Sequence, residues 1–91
     1  MIATSTAATP DAADPRAVFD DEDLVAMRRA IESGPHRMTA VGIVFGRGHT
    51  ADHGIPYIKV NWLGADGGPD AHHPDLLVRV AYDSSGVPRA I

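Results

Sequence analysis

Four of the five histidines in the chain lie within residues 49–73, in two runs that also hold aspartates. The runs are His49-Thr50-Ala51-Asp52-His53 and Asp70-Ala71-His72-His73-Pro74-Asp75. Neutral imidazole and carboxylate are the ligands that zinc, iron, manganese and nickel sites take. His49, Asp52, His53, His72 and His73 are therefore the candidate ligands of a divalent metal. The i, i+4 spacing of His49 and His53 would put both on one side of a helix. Gly46, Gly48, Gly54 and Pro56 bracket that run, however, and make it a loop. The two runs flank a strand expected over 55–63, whose ends are roughly 30 Å apart at about 3.3 Å per residue. No mononuclear site spans that distance. The first reading is two polar hairpin loops and no cofactor, with a metal-binding protein or metal-dependent enzyme as the alternative.

Other motifs fail on context. Gly46-Arg47-Gly48-His49-Thr50-Ala51 fits the spacing of a dinucleotide loop. Such a loop must open a helix whose N-terminus holds the pyrophosphate, and here a strand follows. No Gly-Lys-Ser/Thr phosphate loop occurs. Asp66-Gly67-Gly68-Pro69-Asp70 lacks the alternating acids and closing glutamate of a calcium loop. A small nuclease would want a glutamate base on its sheet, and both glutamates, Glu22 and Glu32, precede the strands. With no cysteine there is no disulfide, thiolate metal site or cysteine nucleophile.

The elements that must position these residues follow from patterning. Residues 1–18 are rich in Ala, Thr, Asp and Pro, show no apolar period, and read as a flexible tail. Residues 19–91 are expected to form one small domain. Over 20–33 the acids Asp20 to Asp23 suit a helix start. Leu24, Met27 and Ile31 make one apolar stripe, and Gly34-Pro35 stops the run. Strands are expected over 38–45, 55–63, 76–82 and 87–91. In the second, Ile58, Val60 and Trp62 alternate with Tyr57, Lys59, Asn61 and Leu63. In the third, Leu76, Val78, Val80 and Tyr82 alternate with Leu77, Arg79 and Ala81. The expected fold is α+β: one N-terminal helix packed on a three- to four-stranded antiparallel meander.

In that fold the helix covers Ile58, Val60, Trp62, Val78 and Val80. The other sheet face stays open and is half apolar. Tyr57, Leu63, Leu77 and Arg79 are the candidate partner-binding residues on it, since an exposed apolar face marks an interface. Core size points the same way. Of 40 apolar residues, 14 are alanine, leaving 26 larger side chains to offset the entropy of folding. The expected role is a small non-enzymatic interaction or accessory domain, as a homodimer or on a protein partner, through the open face or an edge strand. The net charge of −4, with seven acids against four arginines in residues 1–37, shows no basic face for nucleic acid. No apolar run is long enough for a membrane span and no signal-peptide pattern begins the chain, so a cytoplasmic location is expected. Seven arginines to one lysine, with much Ala, Gly and Asp, point to a GC-rich bacterial genome.

Overall fold

The computed structural model describes residues 19–91; the tail expected over 1–18 lies outside the described residues. The domain is mostly β, which corrects the expected helix-on-meander. Six strands form one antiparallel curled sheet, a half-barrel: β1 (Leu24–Met27), β2 (Gly42–His49), β3 (Pro56–Trp62), β4 (Pro69–His72), β5 (Leu77–Tyr82) and β6 (Pro88–Ala90). Their order is β4-β3-β2-β1-β5-β6. Among the described residues a single short α-helix, α1 (Arg28–Glu32), follows β1 directly.

The expected helix over 20–33 thus divides into turn, strand and one helical turn. Asp20 to Asp23 close a turn in which the Asp23 amide donates to the Asp20 carbonyl at 3.1 Å. Glu22 sits at φ 74°, outside the right-handed helical region, so no helix can start there. The next residues, Leu24-Val25-Ala26-Met27, are apolar without a break. That pattern belongs to a strand buried on both faces. β1 is such a strand, paired with β2 on one side and β5 on the other, and Val25 and Ala26 are wholly buried. Pairing on both sides and burial on both faces outweigh the helical spacing of three residues. Gly34, at φ 109°, ends α1.

The link from β4 to β5 dictates the curl. His72 and Leu77 are five residues apart, with a 3-10 turn over Pro74–Leu76 between them. Even fully extended, that link reaches about 17 Å. In a flat sheet β4 and β5 would lie four strand spacings apart, about 19 Å. The sheet must roll up to bring them within reach. A bulge at Phe45, where the β2–β3 register shifts between Val44 and Gly46, adds to the bend.

Two small cores lie on opposite faces. The concave face buries Phe19, Val25, Val44, Ile58, Val60 and Leu77, with Met27 and Trp62 against them. The convex face buries Ala26, Val41 and Val80, with Leu24, Ile31 and Val78 around them. The single core expected from the sequence is thereby split. Ile58 and Val60 pack with Leu77, not with Val78 and Val80. Among the described residues no helix is long and apolar enough to cross a membrane.

Candidate interaction face

Register fixes what each strand turns outward. The pairs Val60↔Val44, Gly42↔Trp62, Val25↔Gly42 and Val25↔Arg79 place Ile58, Val60, Trp62, Val25, Leu77 and Arg79 on the concave side. The convex side carries Leu24 and Ala26 from β1, Ile43 and Phe45 from β2, and Tyr57, Lys59 and Asn61 from β3. It also carries Pro69 and Ala71 from β4, and Val78, Val80 and Tyr82 from β5. Ile31 of α1 covers the β1–β5 part of this side. The part over β2, β3 and β4 has no second layer among the described residues. Phe45 is 47% exposed there.

On that open part, Ile43, Phe45, Asn61 and Pro69 line a shallow groove of about 380 Å³. It continues past Lys59, Asp70 and Ala71. The Lys59 ammonium lies 6.0 Å from the Phe45 ring centroid. Tyr57 is half-buried, its ring laid over the backbone of Gly48: a methyl group on Gly48 would come within 2.6 Å of the Tyr57 oxygen. Leu63 follows β3 on the same side and is 47% exposed.

The four residues expected to form the contact are therefore divided. Tyr57 and Leu63 are on the open side with Lys59 and Asn61. Leu77 is wholly buried in the concave core. Arg79 is on the concave rim, in a cleft of about 400 Å³ with Phe19, Arg28, Pro74 and Asp75. There Arg28 is held by carbonyls, donating through Nε to Asp75 at 2.8 Å and through Nη2 to Leu77 at 3.3 Å. Phe45, Ile43 and Pro69 are the face residues that sequence reasoning missed. The signal was there: Phe45 is two residues from Ile43, and the pair shares a phase with Tyr57 and Lys59 once β2 and β3 are registered.

The histidines also change place. β4 runs back along β3, so His72 lies opposite Ile58 and His49 lies opposite Pro56. The two runs are not a full strand length apart as expected. Two strand spacings and two residues still separate these histidines, about 12 Å. His53, His72 and His73 each have a local partner. His53 Nε2 is 3.6 Å from Asp52 at an exposed loop tip, and His73 Nδ1 is 3.7 Å from Asp75. His72 Nε2 accepts from Trp62 Nε1 at 3.1 Å, and Asp70 Oδ2 is 3.6 Å from the same nitrogen. No three His, Cys, Asp or Glu side chains among the described residues converge on one point.

Arg47 fastens the start of the described chain to β2. It donates to the Phe19 carbonyl and meets Asp21 at 2.7 Å. In the β5–β6 turn, Asp83 accepts from the Ser85 and Val87 amides and from Arg89 Nε at 2.8 Å. The Arg89 guanidinium, then the Val87 amide, lower its carboxyl pKa from 3.8 to about 2.

Compared with models of known families, with characterised proteins and with solved structures, the chain matches none.

Proposed function

We propose that this domain is a small non-enzymatic interaction module that contacts another protein through the uncovered convex face of β2, β3 and β4. The observation that carries this reading is Phe45, held nearly half exposed among Ile43, Asn61 and Pro69. Burying a phenylalanine is worth roughly 1.5–3 kcal/mol, and this fold forgoes much of that. Aromatic side chains seated among smaller apolar ones are the usual anchors of protein contacts.

Both sheet edges favour the face over strand addition. β4 begins with Pro69, and the Ala71 amide is taken by the side chain of its neighbour Asp70 at 2.8 Å. β6 begins with Pro88. Proline and side-chain capping are the devices that keep an edge from pairing.

Sedimentation of the full chain tests the reading, with Phe45→Ser beside the wild type. An uncovered apolar face produces weak self-association at high micromolar concentration even when the natural partner is another protein. Phe45→Ser is expected to remove it while costing only about 1 kcal/mol of folding stability, since nearly half of the ring is already exposed. A wild type that stays strictly monomeric, or a Phe45→Ser variant destabilised by about 3 kcal/mol as in core truncations, overturns the reading.

A further inference from the structure

Three features of the convex groove bear on what it holds. The first is width. Its walls belong to β2 and β4, two strand spacings or about 9.6 Å apart. A helix with its side chains is about 10–12 Å across and cannot sink between them. An extended chain, or a single side chain projecting from one, can.

The second is the floor. Asn61 is exposed between the walls, and its side-chain amide makes no hydrogen bond among the described residues. It offers one acceptor and two donors. An extended peptide lying along β3 presents the matching carbonyl and amide.

The third is charge. Register turns a single charged side chain of the six strands, Lys59, to the convex face. The chain as a whole carries −4. Lys59 has no carboxylate within ion-pair distance among the described residues; its neighbour is the Phe45 ring. A neutral partner covering this face would desolvate an unpaired ammonium, which is costly. A second copy of the chain would bring a second Lys59 and, at the β4 rim, only Asp70, whose carboxylate lies 3.6 Å from His72 Nε2, which opposes a tight face-to-face dimer.

We infer that the groove takes an extended segment of a partner protein in which an apolar side chain stands two residues from a carboxylate, so that both point to the same face. The apolar side chain sits between Phe45 and Pro69, the backbone bonds to Asn61, and the carboxylate meets Lys59. This rests on the face being the contact surface.

Two synthetic peptides test it, acetyl-Thr-Phe-Thr-Glu-Thr-amide and acetyl-Thr-Phe-Thr-Lys-Thr-amide, titrated into the isotope-labelled full chain with amide chemical shifts as the readout. The glutamate peptide is expected to move the amides of Ile43, Phe45, Lys59, Asn61 and Ala71. It should bind about two- to five-fold more tightly than the lysine peptide, the range an exposed charge pair supplies. Lys59→Gln should remove that preference, and added salt should shrink it. Equal binding of both peptides on this face overturns the partner chemistry and leaves the face as a contact surface. Shifts confined to other surfaces, or no shifts at all, overturn the inference too. If Phe45→Ser also leaves self-association unchanged, the contact-surface reading falls with it.

Discussion

The indole of Trp62 donates from Nε1 to Nε2 of His72 across 3.1 Å, and the two rings meet edge to face at 5.6 Å and 75°. With Nε2 accepting, the ring proton of His72 is on Nδ1. Asp70 Oδ2 lies 3.6 Å from the same nitrogen. The pair also ties β4 to the far end of β3, since Trp62 closes β3 and His72 closes β4.

Trp62 is the only tryptophan in the chain, so its emission follows the surroundings of this one indole. His72→Phe removes the acceptor of Nε1; it is expected to shift that emission and to cost about 1 kcal/mol of stability for the lost bond. An emission spectrum and a stability both equal to the wild type would mean that the hydrogen bond does not hold Trp62.

Asp83 makes the β5–β6 turn sensitive to acid. Its folded pKa is lowered from 3.8 to about 2, so the folded state holds the charged form more firmly than the unfolded state does. The stability this supplies is present above about pH 4 and is lost as pH falls through about 2. Urea unfolding of Asp83→Asn is expected to show a flatter dependence between those values than the wild type. Identical slopes would mean that Arg89 and the turn amides do not stabilise the carboxylate.

Leu63 and Leu77 separate in the same way. Read by alternation, both face outward; in the fold Leu63 is about half exposed and Leu77 is wholly buried. Leu77→Ala should cost about 2–5 kcal/mol, as core leucine truncations do. Leu63→Ala should cost about 1 kcal/mol, since nearly half of that side chain is already exposed. Chemical denaturation of the two variants decides this, and comparable losses would refute the two-core arrangement.

That contrast shows where the sequence is legible. Alternation correctly divides Ile58, Val60 and Trp62 from Tyr57, Lys59, Asn61 and Leu63, because side-chain direction has period two within one strand. It cannot say which phase of β5 shares a face with which phase of β3. β1 and β2 stand between them, and that relation is set by the pairings Val25↔Arg79 and Val25↔Gly42. β4 was hidden for a different reason. Pro69-Asp70-Ala71-His72 has turn-like composition and is held as a strand only by its pairing with β3. The open face was half legible: Tyr57 and Leu63 are on it, while Phe45 needed the β2–β3 register to be placed.

Glu22 gives the sharpest contrast between the helix read from the sequence and the turn that forms. Its φ of 74° puts a residue with a side chain in the left-handed region, at a cost of roughly 1–2 kcal/mol. The turn is held there by its bonds: the Glu22 amide donates to the Val44 carbonyl at 2.7 Å, the Val44 amide to Asp23 at 3.0 Å, and the Asp20 amide to the Asp23 carboxylate at 2.9 Å. Glu22→Gly removes the steric cost and adds some unfolded-state entropy, about 0.5–1 kcal/mol. The net expectation is a gain of roughly 0.5–1 kcal/mol, which for a domain of this size raises Tm by about 2–8 °C. Glu22→Pro should cost about 3 kcal/mol or more, because it removes the amide that Val44 accepts from and forces φ to about −65°. In the first turn of a helix the sign for glycine would be opposite, a loss of about 1 kcal/mol. A thermal melt of Glu22→Gly thus separates the two conformations by the direction of a single shift.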